Sequence, residues 1–246
     1  MAALLAALLA AVLAGLLALA AQTGPVAVTA ATVGAQLLLA TGIASAGRPK
    51  GSGVATWLVV AGAGVAGAAV IETAAVVDLG TLAPVATGGV LACFVLELVR
   101  RDGRAGLVGS LSASVTGVVL AVLTASWPVT ALLRNGDTLV TVGAVGIGVC
   151  ALAWAVPGPR GVLAPVGVVA ATAAGWAVLP MLSDSYDPVA GAALAGAGAA
   201  VAAVALAAAT WWAEGAREHL ALVATLPLAL AAPVVHLVGQ LAGAVT

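Results

Sequence analysis

The sequence predicts an all-α polytopic membrane protein, a single bundle of about nine transmembrane helices with its N-terminus inside. Three observations predict this fold. The 246 residues are 63% hydrophobic and only 7% charged, and their mean hydropathy is +1.24. The apolar segments have lengths of roughly 20 residues, which is what a hydrocarbon core of about 30 Å requires. The eight Lys and Arg residues lie between these segments, and alternate links differ strongly in positive charge.

The first apolar segment, residues 1–21, is predicted to be a transmembrane helix. The stretch Leu17-Ala-Leu-Ala20 fits a signal-peptidase site. However, the segment has no charged region before it and is long for the apolar part of a signal peptide. We therefore assign it as span one and expect it to remain in the bundle.

Turn-forming and charged residues separate the remaining apolar segments. The link from Trp127 to Asp137 is amphipathic at best, and we predict that it lies in the membrane interface with Trp127 at headgroup level. The nine predicted spans cover approximately residues 1–21, 25–46, 54–77, 81–98, 105–126, 138–156, 162–182, 189–212 and 220–244.

The positive charges predict the orientation of the bundle. Cytoplasmic links carry an excess of Lys and Arg. With the N-terminus inside, the outer links hold only Arg134. The inner links hold the other seven of the eight cations: Arg48, Lys50, Arg100, Arg101, Arg104, Arg160 and Arg217. Because one wrong span would scramble this alternation, the bias also supports the number of spans.

Several classes of function are disfavoured by composition. A net charge of −1 offers no basic surface that could follow a phosphate backbone, so no nucleic-acid partner is expected. Cys93 and Cys150 lie inside apolar segments without a Cys-x-x-Cys pair and are predicted to be buried small side chains. No phosphate-cradling loop, zinc motif or nucleophile elbow is present in the sequence, so no cofactor and no metal are predicted.

Glu72 and His236 are the candidate intramembrane polar residues. An ionisable side chain within a span is costly and by default suggests an ion path or a substrate site. Glu72 lies near the outer end of its span, so a water-exposed acid is an equal alternative. His236 is either a ligand or proton carrier, or a core histidine that is hydrogen-bonded to a neighbouring helix.

The segment Leu98–Arg104 holds three arginines, Arg100, Arg101 and Arg104, and Arg217 lies on another inner link. Basic residues on the cytoplasmic side bind anionic lipid headgroups or a partner. The alternative is that these arginines serve only as a topology signal. Glu97 is predicted to pair with one of them.

Other polar residues have structural interpretations. Asp184 and Asp187 have the spacing of a divalent-metal site, but they lie in an outer Asp-Ser-Tyr-Asp-Pro segment that is typical of a tight turn. We favour the turn. Gln22, Gln36 and Gln240 are interpreted as interhelical hydrogen-bond formers or helix-end residues.

The order of these segments resembles the phosphatidate cytidylyltransferases (CDP-diacylglycerol synthases) of actinobacteria. The resemblance extends from about residue 25 to the C-terminus. It rests on nine spans, on an inner arginine cluster followed by the sequence of residues 110–120, and on the sequence of residues 225–233 in the last span. It implies a fold whose members transfer CMP from CTP to phosphatidic acid at the cytoplasmic face, using metal ions held by acidic residues.

The chain departs from that family where the family's catalytic motifs lie. The family's sixth helix carries an acidic motif, whereas residues 149–154 contain no acid. Its signature before the last helix needs lysines and paired acids, whereas the only lysine here is Lys50 and the region is reduced to residues 214–219. Without motif carboxylates the site cannot hold the Mg²⁺ of phosphoryl transfer. An active enzyme would be a CTP-dependent transferase of this type; we favour a degenerate relative and assign no catalytic residues.

The sequence therefore predicts a non-catalytic multi-pass protein of the plasma membrane. Its expected role is that of a scaffold or subunit that binds lipid, with anionic phospholipid as one candidate, or another membrane protein. The alternative is a small transporter or permease subunit with a polar path near Glu72 and His236.

Overall fold

The computed structural model describes residues 2–45, 53–74, 78–100, 106–183, 185–212 and 219–245, and these residues contain helices and short links without strands. A 3₁₀ turn at Leu79–Leu82 precedes α4. The helices are α1 Ala2–Thr23, α2 Pro25–Ser45, α3 Gly53–Thr73, α4 Ala83–Val99, α5 Leu107–Thr124, α6 Ser126–Ala131, α7 Gly136–Ala155, α8 Arg160–Leu182, α9 Pro188–Trp212 and α10 Leu220–Val245.

Nine stretches among the described residues are long and apolar enough to cross a membrane, which confirms the predicted all-α polytopic bundle. The link between α1 and α2 shows how the sequence sets a boundary. Gly24 has φ +125°, a conformation that favours glycine, and its N–H bonds to the carbonyl of Ala20. Pro25 then begins α2, where a missing N–H costs nothing.

Helix α10 lies between two groups of helices. One group consists of α1, α7, α8 and α9, and the other of α2, α3, α4 and α5. α10 contacts α1, α7 and α9 on one side and α2 and α5 on the other. The first helix is therefore part of the core of the bundle, because Ala14, Leu17 and Ala21 are buried in it.

Backbone contacts at glycines hold the first group together. A Cβ atom placed on Gly175 of α8 would lie 2.2 Å from the carbonyl oxygen of Gly191 in α9. One placed on Gly146 of α7 would lie 2.4 Å from the carbonyl oxygen of Ala195 in α9. Such close approach maximises van der Waals contact, which is a main source of helix association in lipid.

Contacts between helix ends agree with the alternating topology. The Tyr186 hydroxyl donates to the Arg134 carbonyl at 3.2 Å, and both residues lie in links assigned to the outside. The Gln22 amide donates to the Thr141 hydroxyl at 2.7 Å, which joins the outer ends of α1 and α7. We call the opposite end, which bears the arginine-rich links, the inner end.

The prediction for Trp127 was wrong. Its side chain is 0% exposed and belongs to the core, so it does not anchor an interfacial segment. The helical path continues through α6, and residues 107–131 form one 25-residue span. The physical reason lies in α10, where the Leu228 carbonyl accepts a hydrogen bond from the indole N–H at 3.1 Å. A buried tryptophan needs such a partner, and sequence alone did not reveal one.

Candidate functional site

Glu72 lies exposed at the outer end of α3. Its Oε1 accepts a hydrogen bond from the Thr29 hydroxyl at 2.6 Å, and Thr29 is near the outer start of α2. This geometry corresponds to the water-exposed alternative, because the carboxylate has a polar partner and remains accessible at the boundary of the membrane.

His236 lies in the core and joins α10 to α6. Its side chain is 1% exposed, and Nδ1 lies 3.1 Å from the Thr130 hydroxyl oxygen. The single proton of that hydroxyl is already donated to the Ser126 carbonyl at 2.8 Å. We therefore assign the proton of the neutral ring to Nδ1, which donates to Thr130. Nε2 is then an acceptor that is buried without a hydrogen-bond partner among the described residues.

The structure does not bring Glu72 and His236 together. Glu72 is exposed and bonded to α2, whereas His236 is buried and bonded to α6. Neither side chain lines either of the two cavities described below. The two residues that defined the transporter alternative thus have separate local partners.

At the inner end Glu97 pairs with an arginine, as predicted. Its Oε2 lies 3.1 Å from a guanidinium nitrogen of Arg100, and the Ser110 hydroxyl donates to Oε1. Glu97 is 8% exposed, so this polar group connects the end of α4 with the start of α5 under partial burial. Arg101, Arg104 and Arg217 lie outside the described residues.

The remaining polar candidates have structural roles. Asp187 accepts a hydrogen bond from the Val189 N–H at 2.9 Å and caps the start of α9, as the turn interpretation predicted. Asp184 lies outside the described residues. Gln36 donates across α2 and α5 to the Ala121 carbonyl at 2.8 Å, so it and Gln22 are interhelical hydrogen-bond formers. Gln240 is exposed on α10.

Both cysteines of the sequence lie in the interior of the bundle, as predicted. Cys150 and Trp154 are buried in α7, and Cys93 is buried in α4. Within the described ranges, no three His, Cys, Asp or Glu side chains come close enough to hold a metal ion.

A cavity of about 200 Å³ lies among α1, α2, the α5–α6 span and α10, and we call it the α1–α2 cavity. Apolar side chains form most of its wall, and they come from four separate parts of the chain. It is lined by Leu13, Leu16, Leu17, Ala31, Thr32, Gly34, Ala35, Leu38, Thr124, Trp127 and Leu228.

The α1–α2 cavity has a buried floor and an open mouth. Trp127 and Leu228 on the floor are 0% and 2% exposed, whereas Leu16 at the mouth is 53% exposed. Gly34 is also exposed, and a Cβ atom placed on it would meet nothing within 4 Å. Because these positions lie in the middle of α1 and α2, the mouth faces lipid chains rather than water.

The polar atoms on the wall of the α1–α2 cavity differ in their bonding. The Trp127 indole N–H is used by the Leu228 carbonyl, and the Thr124 hydroxyl donates to the Leu120 carbonyl at 2.6 Å. The Thr32 hydroxyl is buried and has no hydrogen-bond partner in the described part of the chain. The Thr32 hydroxyl is therefore enclosed by the protein and is not open to an occupant of the cavity.

A second depression lies between α3 and α4 and has a volume of about 370 Å³. It is more open than the α1–α2 cavity, and its lining contains no polar side chain. Its lining residues are Leu58, Val59, Gly62, Ala63, Ala66, Val85, Gly88, Gly89 and Ala92. The α1–α2 cavity is the stronger candidate because it is the more enclosed of the two and has a buried floor.

Sequence reasoning missed Thr32 and Trp127 as site residues. Thr32 is one of many hydroxyl residues within apolar segments, and no local pattern distinguishes it from threonines that bond to their own helix. Trp127 was assigned to the interface because it begins a link rich in turn signals.

Comparison of the chain with protein-family models, with curated proteins and with solved structures finds no match.

Proposed function

We propose that this protein is a non-catalytic multi-pass membrane protein that binds a lipid, whose apolar body occupies the α1–α2 cavity. One observation carries the proposal, namely a cavity of about 200 Å³ with a buried floor and a mouth at mid-membrane depth. Lipid is the molecule that surrounds this mouth in the membrane, so an apolar occupant needs no path through water.

The energetics favour an occupied α1–α2 cavity. An apolar void forfeits dispersion contacts along its whole lining, and residual cavities in protein cores cost about 24 cal/mol per Å³. The lining holds no charged side chain, so water gains few hydrogen bonds there. A hydrocarbon segment that enters between α1 and α2 restores these contacts without the desolvation of a charge.

We also propose that the arginines of the inner end bind anionic phospholipid headgroups at the membrane surface, separately from the α1–α2 cavity. Arg100 is paired with Glu97, so we assign headgroup binding chiefly to Arg101, Arg104 and Arg217. The resemblance to phosphatidate cytidylyltransferases makes phosphatidic acid and CDP-lipids the first glycerolipids to test. We also propose that the protein resides in the plasma membrane.

The proposal predicts that Gly34→Leu closes the α1–α2 cavity. The new side chain meets open space at the mouth, so the fold is expected to tolerate it while lipid access is blocked. We expect the variant to retain about one tenth or less of the lipid that the parent protein retains, because the new side chain blocks the mouth of the cavity. A tenfold loss corresponds to about 1.4 kcal/mol of binding free energy. Native mass spectrometry after purification in mild detergent measures the bound lipid.

Gly15→Leu is the matched control, because Gly15 is an exposed glycine of α1 with nothing within 4 Å of an added Cβ atom and does not line the cavity. It should retain lipid as the parent does. A parent protein that retains no lipid, or a Gly34→Leu variant that retains it undiminished, would sink the proposal. A stoichiometric membrane protein in place of lipid would redirect the assignment to a subunit.

A further inference from the structure

Arg100 and Arg160 are the two arginines of the inner end that the structure describes, and their surroundings differ. Arg100 is ion-paired with Glu97, and its side chain is only 10% exposed. Arg160 is the first residue of α8 and is exposed. No carboxylate in the described part of the chain pairs with it. Its positive charge is therefore open to a bound anion.

The ring of Trp154 holds the Arg160 side chain in place. The guanidinium carbon lies over this ring at 5.8 Å from its centroid, which is within the range of a cation–π contact. Trp154 is itself 7% exposed and belongs to a core cluster formed by α1, α7, α9 and α10. A guanidinium group on an aromatic face keeps the N–H groups at its edge free. The contact therefore orients Arg160 without using its hydrogen-bond donors.

The start of α8 lies at the edge of the bundle, where lipid is the neighbour. This helix packs mainly against α7 and α9. After Arg160 it exposes a series of valines, since Val162, Val166 and Val169 are 56%, 52% and 69% exposed. An exposed cation followed by an apolar surface complements a molecule that has an anionic head and hydrocarbon chains.

We propose that Arg160 binds the headgroup phosphate of an anionic phospholipid whose chains lie along the exposed valines of α8. The inference rests on the proposed headgroup binding at the inner end and adds a residue to Arg101, Arg104 and Arg217. The edge of a guanidinium group donates charge-assisted hydrogen bonds to phosphate oxygens. The predicted orientation places Arg160 at the cytoplasmic leaflet, whose anionic lipids complement its charge. Trp154 is the positioning residue of this site.

The test is a titration of the full chain in mild detergent, read by native mass spectrometry. The probes are short-chain phosphatidylglycerol and phosphatidylcholine of the same chain length. Arg160→Gln should weaken the binding of phosphatidylglycerol about fivefold, the increment of one basic residue near a membrane surface. The binding of phosphatidylcholine should change little, because its headgroup has no net charge. An unchanged affinity for phosphatidylglycerol would overturn the inference.

Inorganic phosphate is the third probe, because it carries the same anionic group without hydrocarbon chains. The parent protein should bind it more weakly than phosphatidylglycerol, since only the lipid can also contact the valines of α8. If inorganic phosphate bound as tightly, the assignment of a lipid to Arg160 would be wrong.

Arg134→Gln is the matched control. Arg134 is an exposed arginine of the outer end, and among the described residues it has no contact with an aromatic ring. The variant should bind phosphatidylglycerol as the parent protein does. If it lost as much affinity as Arg160→Gln, the effect would be one of overall charge, and the site at Arg160 would be refuted.

Trp154→Leu tests the positioning role, because it removes the aromatic face. It should weaken the binding of phosphatidylglycerol about two- to fivefold through the loss of the cation–π contact. In the Arg160→Gln background the same substitution should have no further effect. An equal loss in both backgrounds would mean that Trp154 acts through packing alone and would contradict its positioning role.

The variants Arg101→Gln, Arg104→Gln and Arg217→Gln separate this inference from the proposal on which it rests. If any of them weakens the binding of phosphatidylglycerol while Arg160→Gln does not, headgroup binding at the inner end stands and only the site at Arg160 is wrong. If none of the four variants changes the affinity, headgroup binding by these arginines is wrong as well.

Discussion

Gly175→Ala is expected to destabilise the bundle by about 1–3 kcal/mol or more, because the added methyl group cannot fit between α8 and α9. A Cβ atom at position 175 would lie 2.2 Å from the Gly191 carbonyl oxygen and 2.4 Å from the Ala195 Cβ atom. The first of these atoms is backbone, so the two helices must separate. The measurement is the free energy of unfolding in mixed micelles, monitored by circular dichroism.

Gly161→Ala is the control for this prediction on the same helix. Gly161 is exposed near the start of α8, and a Cβ atom placed there meets nothing within 4 Å. Alanine is a better helix former than glycine by roughly 0.5–1 kcal/mol, so this variant should be unchanged or slightly more stable. Equal stability of the two variants would contradict the contact between α8 and α9.

Trp127→Ala is expected to cost about 3–5 kcal/mol, the range for removing a large buried aromatic side chain. Trp127 is 0% exposed and fills the junction of α6 with α10. Trp127→Phe should cost less, about 1–3 kcal/mol, because it keeps most of the ring but leaves the Leu228 carbonyl without its indole donor. Equilibrium unfolding in mild detergent distinguishes the two variants.

Trp176 on α8 serves as the reference, because it is 58% exposed toward lipid. Trp176→Ala should change stability much less than Trp127→Ala. If the two alanine variants were equally stable, Trp127 would have the interfacial position that its sequence context suggested, and the floor of the α1–α2 cavity would have to be reassigned.

The elements that could be predicted from sequence are those set by short-range chemistry. Gly24 and Pro25 separate α1 from α2 because one accepts a positive φ and the other lacks an N–H. Glu97 was expected to pair with a nearby arginine, and its partner Arg100 lies one helical turn away. Such features depend on residues that are close in the chain, so a single sequence contains the information.

The α1–α2 cavity could not be predicted in this way. Its floor depends on Trp127 and Leu228, which are far apart in the chain, and its mouth depends on the spacing of α1 and α2. Trp127 and Leu228 come together only when α6 packs against α10, so the sequence around either residue does not reveal this contact.

By itself the sequence predicted a bundle of membrane-spanning helices, the nine stretches that are long and apolar enough to cross a membrane among the described residues, and the links that carry positive charge. Length, hydropathy and charge are properties of each segment separately, and the lipid bilayer acts on each segment separately. The tertiary structure alone decided that Glu72 and His236 lie apart, that Trp127 is buried and that Thr32 lines a cavity. In a chain composed so largely of small apolar residues, many helix faces are chemically alike, and only the packing of specific pairs such as Gly175 and Gly191 selects which faces meet.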